Sequence, residues 1–528
     1  MSGLPRTLNR PILAFVAVTA IAAFLRFFHL AHPPDFVFDE VYYPKAGCVL
    51  IGGSDDVCRV DSSAEKYWRE QKWDVGSWVH PPLGKWEIGL GIKAFGMDSF
   101  GWRVTSALAG TLVVLLTAIL AYQLFRSAIW TFVAGSLMAL EHLNIVMSRT
   151  GLLDVHLELW VVAGYLFLVL DRRWIERRER PEPDRPTTDT PTTRERHDED
   201  AAMDDDEVHG SPPAYSPIWR PWRFAAGAAF GAAVAVKWSG AMALLGAILL
   251  TYAWETSRRK RHGRSTIAAF GRAFLRESFG VALALALVPF AVYFATWLPW
   301  FHHFEYSLLH DPVASFARWA HEQGDILRYH REGLKEFAEA SNGTTTLTHP
   351  YYARPTTWIV MLRPISFFIR DLGPDIQQVL AIGNPAVFWG ALAAMPYAAF
   401  IWVRTRDWRA GFLLVAFLVQ YAPWFLVDRP QFFFYVLPVT PFMVLAVTHL
   451  VRDLSEATIV VRDRDTGEVA VNPETGAPAV SQHHPYLPFV VAYLAVAVAL
   501  TVWFWPVLTA GQVSDTHWKA IVWFRGWI

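Results

Sequence analysis

The chain has 528 residues, 53% hydrophobic, 15% aromatic and only 18% charged, with a formal net charge of -1. That apolar fraction argues against a soluble multidomain protein and for an all-α polytopic membrane protein. The balanced charge argues against a nucleic-acid binder, which carries a basic excess. The 25 Trp residues suit a long perimeter at headgroup depth.

Hydropathy and punctuation predict about eleven transmembrane helices, over 11–31, 101–125, 128–147, 154–171, 222–238, 240–254, 279–300, 385–403, 410–427, 431–451 and 486–506. The first is too long, and lacks the small-residue cleavage site, for a signal peptide, so it is expected to remain as a span. The organisation that follows is a catalytic membrane region over 1–171 with a first external loop at 32–100, then a cytoplasmic loop at 172–221. A membrane region at 222–300 and a second external loop at 301–384 come next. The last region, 385–528, includes a cytoplasmic loop at 452–485. The Pro-, Thr- and Asp-rich stretch 181–214 is expected to be disordered, and 458–472 reads as a small hairpin.

Basic residues set the direction. Arg6 and Arg10, the arginines at 172–180, the Arg/Lys run at 258–264, and Arg404, Arg406 and Arg409 share one side if the amino terminus is cytoplasmic. The carboxyl terminus is then outside. Cys48 and Cys58, the only cysteines, fall in one external loop, and a disulfide is expected. Amphipathic interfacial helices are expected in both external loops, at 83–97 and 312–340, from apolar stripes opposed by charges.

The same orientation gathers the polar residues. Asp39 and Glu40 follow the first span in His32-Pro-Pro-Asp-Phe-Val-Phe-Asp-Glu-Val-Tyr-Tyr-Pro44, and adjacent carboxylates at a lipid boundary mark function. His80 and Lys85 come later in that loop, and Arg103 opens the second span. Arg149 and Asp154 bracket the outer turn between the third and fourth spans, Lys237 ends the fifth, and Arg429 and Gln431 lie between the ninth and tenth. Cations at span ends often only snorkel. Outer ends are the less favoured place for them, so five there favour anion binding. A lipid phosphate-sugar donor fits: its phosphate among the cations, with a carboxylate taking the proton of an incoming hydroxyl. No helical His-x-x-x-His spacing occurs, so no metal and no cofactor is expected. The sequence leaves a divalent ion open.

At these residues the chain resembles the protein O-mannosyltransferases. The resemblance rests on Phe38-Asp-Glu-Val-Tyr42, His80-Pro-Pro-Leu-Gly-Lys85, Ser148-Arg-Thr-Gly-Leu-Leu-Asp154, His349-Pro-Tyr351, Arg363-Pro-Ile365, Gly383-Asn-Pro385 and Phe434-Tyr-Val-Leu-Pro438, in the family's order. It implies a C-type membrane glycosyltransferase fold and inverting transfer of mannose from a polyprenyl-phosphate-mannose donor to Ser or Thr hydroxyls of exported proteins. The implied partners are that lipid, the acceptor proteins and, with them, the secretion machinery. Asp39 falls at the family's proposed base, Glu40 at a substrate contact, and Arg103 at an arginine suited to donor or phosphate. His80, Lys85, Asp154, Lys237, His349 and Arg429 match motif positions. The loop 301–384 is too short for the β-trefoil-type domain of eukaryotic members, which points to the bacterial branch. The Ala- and Arg-rich composition suits an actinobacterium. Where the family motif reads Tyr-His-Tyr-Leu-Pro, this chain has no histidine.

Other classes remain as alternatives at this point. A related transferase acting on a lipid or wall glycan would share mainly the early acidic region. An oligosaccharyltransferase would show a Trp-Trp-Asp triplet, absent here. An ion-coupled transporter would show internal repeats and midplane charges.

Overall fold

The computed structural model describes residues 11–53, 57–58, 79–179, 215–260, 265–303, 305, 307–328, 330, 351–427, 430–458, 469 and 484–527. His349, Arg429, the stretch 181–214 and most of the expected hairpin at 458–472 lie outside them.

A helix stands at each of the eleven expected spans. The first three helices are α1 (Pro11–Phe27), α2 (Tyr43–Leu50) and α3 (Leu83–Phe95). They are followed by α4 (Ser99–Phe125), α5 (Ala128–Ala139), α6 (His142–Ser148) and α7 (Asp154–Arg178). Then come α8 (Pro221–Val236), α9 (Gly240–Lys260), α10 (Thr266–His302) and α11 (Pro312–Arg328). Farther along stand α12 (Pro385–Thr405), α13 (Trp408–Tyr421), α14 (Thr440–Glu456) and α15 (Leu487–Leu508), with a short helix at Asp515–Ile521 after them.

Among the described residues, six helical stretches are long and apolar enough to cross a membrane: α4, α10, α12, α15, and α13 and α14 with the short turns that extend them. The pair α5 and α6, bent by 61°, makes a seventh if read as one span. The expected count of eleven exceeds this because α1 is short at 17 residues, and α7, α8 and α9 fall below the same measure. The physical reason is visible in α7, which buries Asp154, Glu158 and Asp171 against partners inside the bundle. A helix shielded by its neighbours has less need of an unbroken apolar surface.

Packing starts with α1 against α4 and α5, continues through α4 on α7, and α7 runs along α8. The short helices α2 and α3 cross at Gly47 and Gly89. A Cβ on Gly47 would strike the Lys85 carbonyl, and one on Gly89 the Gly47 carbonyl. Only glycine lets these backbones approach that closely. Glu87 of α3 accepts from Trp160 Nε1 at 3.0 Å and lies 2.8 Å from His156 Nδ1, fixing α3 on α7. Lys85 and Asp154 are thereby carried on elements held together.

The all-α expectation needs correction. A three-stranded antiparallel sheet joins β1 (Ile365–Asp371), β2 (Asp375–Ala381) and β3 (Gln512–Ser514) in that order. Ile365 and Phe367 of β1 are buried, and β2 is buried on both faces at Val379 and Leu380. Gly373, at φ 83°, takes the left-handed turn between them. The expected disulfide is present, with Cys48 bonded to Cys58.

Candidate active site

The acidic pair divides its two carboxylates between different tasks. Glu40 is fully buried. Its Oε1 accepts from Arg103 Nε at 2.7 Å and from the Gly151 amide at 2.7 Å, and its Oε2 from Arg103 Nη2 at 2.8 Å and from the Val37 amide at 2.8 Å. Arg103 gives its remaining N–H groups to the carbonyls of Leu30 (3.3 Å), Pro33 (2.7 Å) and Asp35 (2.9 Å). A guanidinium has five donors and all five are used here. Gly151, in the motif Ser148–Asp154, lets its amide reach Glu40; a Cβ there would lie 2.9 Å from the Trp102 carbonyl. Glu40 and Arg103 were expected as substrate contacts. Their hydrogen-bonding capacity instead goes to each other and to the loop backbone.

That frame presents Asp39. Phe38 sits at φ 52°, a left-handed conformation that costs a non-glycine residue roughly 1–3 kcal/mol. It is held there by its stack on Phe367 of β1, with ring centroids 4.3 Å apart, and by the clamp on Glu40 two residues on. The Asp39 carbonyl accepts from the Tyr42 amide at 2.9 Å, but its carboxylate makes no hydrogen bond or ion pair with any described residue, and it lies deep in the protein with part of its surface open. Burial pushes its carboxyl up to about 7; the Lys237 ammonium works against this, and the Asp154 charge adds to it.

Asp154, the first residue of α7, is gripped by Lys237 Nζ at 2.9 and 2.8 Å. Lys237 caps α8, and its ammonium lies 5.7 Å from the ring centre of Phe434 and 5.9 Å from that of Tyr435. Lys85 is buried, donates to the His80 carbonyl at 2.6 Å, and feels Glu322 of α11. Burial brings its ammonium down to about 7, against the opposing pull of Glu322.

Arg149, another expected substrate contact, is turned to the backbone as well. It donates to the carbonyls of Leu25, Arg26, Phe28 and His29 at 2.6–3.3 Å, closing the C-terminal end of α1. The Leu25 and Arg26 carbonyls, in the last turn of α1, have no partner within that helix, and Phe28 and His29 lie just past its end. Gln431 donates to the Trp424 and Val427 carbonyls. Thus Asp39, Asp154 and Lys237 share one neighbourhood, Glu40, Arg103 and Arg149 build its walls, and Lys85 with His80 borders it. Among the described residues no group of three or more His, Cys, Asp or Glu side chains is arranged to hold a metal ion.

Sequence reasoning missed Glu158. It lies one turn along α7 from Asp154 and accepts from Asn144 Nδ2 (2.6 Å) and Thr440 Oγ1 (2.9 Å). The spacing of Asp154 and Glu158 on one helix face was a signal available to find it. It also missed Trp238, whose Nε1 donates to the Tyr293 hydroxyl at 3.0 Å, which in turn donates to Gln323 of α11.

Comparison with known proteins places this geometry. Residues 16–181 match the family described as dolichyl-phosphate-mannose-protein mannosyltransferase, and residues 327–527 match the C-terminal four-transmembrane region of protein-O-mannosyltransferase. The polyprenol-phosphate-mannose–protein mannosyltransferase of Mycolicibacterium smegmatis is 30% identical, over 97% of this chain and 92% of its own length. The protein of the same name from Corynebacterium glutamicum is 26% identical over 88% and 87%. The solved Saccharomyces cerevisiae protein O-mannosyltransferase Pmt1-Pmt2 complex, bound to its sugar donor, has a TM-score of 0.66 at 14% identity. That alignment covers 98% of this chain and 92% of the yeast chain, and it speaks for the fold. On 30% identity over nearly the full length of the Mycolicibacterium smegmatis enzyme and on the two family matches, this chain is a member of the protein O-mannosyltransferase family.

Proposed function

We infer that this chain transfers mannose from polyprenyl-phosphate-mannose to Ser or Thr hydroxyls of exported proteins, by inverting single displacement. The observation that carries the mechanism is Asp39: a carboxylate left without a partner on a pinned, strained loop, beside the Lys237–Asp154 pair. In this scheme Asp39 takes the acceptor's proton as its oxygen attacks C1 of the mannose. The bond from C1 to the phosphate oxygen breaks, and polyprenyl phosphate leaves with the bonding electrons. Lys237, beside Asp39, helps keep the base ionised, Lys85 supplies positive charge for the phosphate, and Gln431 and His80 border the pocket; Arg429 and His349, outside the described residues, join the donor site by motif position alone. Glu40, Arg103 and Arg149 serve as positioning residues. The scheme calls for no cofactor.

The arrangement in the membrane belongs to the same proposal. Eleven spans of the C-type fold place the amino terminus in the cytoplasm and the carboxyl terminus outside, with the site on the extracytoplasmic face. There α3 and α11 lie along the interface. Buried Lys85 and exposed Leu90 and Phe95 on α3 support that reading, as do buried Trp319 and exposed Val313 and Phe316 on α11. The secretion machinery would then deliver acceptors as unfolded chains.

The test is direct. Membranes containing the chain, labelled polyprenyl-phosphate-mannose and a Ser/Thr peptide should yield mannosyl peptide. Label appearing in lipid or glycan, or remaining on the donor, would reject the reading.

A further inference from the structure

Beside the charged residues of the site stands a group of rings to which the mechanism assigns no step. His80 and His330 lie with ring centroids 5.4 Å apart, Trp238 lies 6.0 Å from His330, and Tyr43 lies 6.4 Å from His80. His80, Trp238 and Tyr43 are each tied in sequence or by a hydrogen bond to a charged residue of the site. Tyr43 is one turn beyond Asp39, Trp238 follows Lys237, and the His80 carbonyl accepts from Lys85. His330, just beyond the end of α11, comes from elsewhere in the chain.

The anchoring of α11 explains how His330 gets there. Trp319 packs against Phe290, Tyr293, Phe294 and Trp297 of α10. The Tyr293 hydroxyl donates to Gln323 at 2.5 Å while accepting from Trp238 Nε1. Glu322 faces Lys85. Helix α11 is therefore fastened on both sides of the ring group.

We propose that His80, His330 and Trp238 form the acceptor wall of the site and seat the polypeptide segment that carries the Ser or Thr hydroxyl. This rests on the transferase reading above. In an inverting displacement the attacking hydroxyl and the departing phosphate lie on opposite sides of the reacting carbon, so groups beside the base face the acceptor. Tyr43 places the ring group on the base's side. Indole and imidazole faces offer flat apolar contact with a main chain of any sequence, and their ring nitrogens can hydrogen-bond its amides and carbonyls. Such a surface selects an extended chain rather than a particular side chain.

The test uses the full-length chain, reconstituted with polyprenyl-phosphate-mannose and a Ser/Thr peptide, with each substrate varied in turn. His330→Ala should raise the peptide KM about fivefold or more, with the donor KM within about twofold of the parent. His330→Phe, which keeps a flat ring, should recover part of that loss. A peptide KM unchanged in His330→Ala overturns the proposal, as does a donor KM that rises in step with it. Loss of all transfer in both variants, with labelled donor still bound, also overturns it, because an acceptor wall governs affinity rather than bond making. Absence of mannosyl peptide from the parent chain would instead reject the transferase reading itself.

Discussion

The two ends of the helix bundle both carry buried charge, and they use it in opposite ways. At the end far from Asp39, Arg220 binds Asp171, Glu255 (2.8 Å) and Glu277 (3.1 Å). Arg223 reaches Glu277 (2.8 Å), and Arg259 reaches Glu255 (2.8 Å) and Glu277 (3.3 Å). Arg258 joins Glu255 to Glu179. Every carboxylate there meets at least one guanidinium, and the four helices α7 to α10 are fastened together. At the other end Glu40 and Asp154 are paired in the same manner, and of these three site carboxylates only that of Asp39 has no partner among the described residues. Paired charge holds helices in place; the unpaired carboxylate is the one kept in readiness to take a proton. A buried ion pair is weak evidence of net stabilisation, so the contrast lies in what breaks when each is changed.

Four changes sharpen that contrast. Asp39→Asn should lower kcat about 10²–10⁴-fold, the range of a positioned general base. It should melt no lower than the parent, because the ionised carboxylate lacks a partner in the folded protein. A variant that turns over normally, or that unfolds, would break the comparison. Arg220→Met should do the reverse, costing about 3–5 kcal/mol as three buried carboxylates lose their shared partner, with intact turnover in whatever protein stays folded; thermal melting beside initial rates checks it.

The third change is in pH. A base must be ionised, and Asp39 is pushed up to about 7, so kcat/KM should fall as pH drops through about 7. Asp154→Asn removes a negative neighbour and frees the Lys237 ammonium, so it should move that limb to lower pH. A limb that stays put would mean some other group titrates. The smallest effect is expected from Arg149→Ala, which strands the carbonyls at the end of α1. It should cost about 1–3 kcal/mol of stability without changing the donor KM. A raised donor KM would return Arg149 to the substrate.

The sequence made the cast legible more than the parts. Asp39 and Glu40 stood out as an acidic pair, and Cys48 and Cys58 as a disulfide, because each is an exception to local composition. That Arg103 and Arg149 would turn to backbone carbonyls was not readable. Whether a guanidinium meets a ligand or a peptide carbonyl depends on how a loop folds back, and no spacing encodes that. The hairpin of β1 and β2 was within reach, since Ile365-Ser-Phe-Phe-Ile369 is β-rich and Leu372-Gly-Pro-Asp375 is a turn. Its third strand, more than 130 residues further along the chain, was not. His330 escaped for the same reason, as its ring neighbours His80 and Trp238 come from two distant segments.

The small sheet has a consequence for the order of assembly. The Phe38–Phe367 stack, the Arg370–Asp35 ion pair and the hydrogen bond between His32 and the Ala510 carbonyl brace the loop that carries Asp39 with segments made much later in synthesis. Ala510 and β3, which completes the sheet, follow β2 by more than 125 residues. A ribosome-bound chain stalled between β2 and β3 therefore holds Asp39 on a loop only partly braced, and the base gains its full support when those residues emerge.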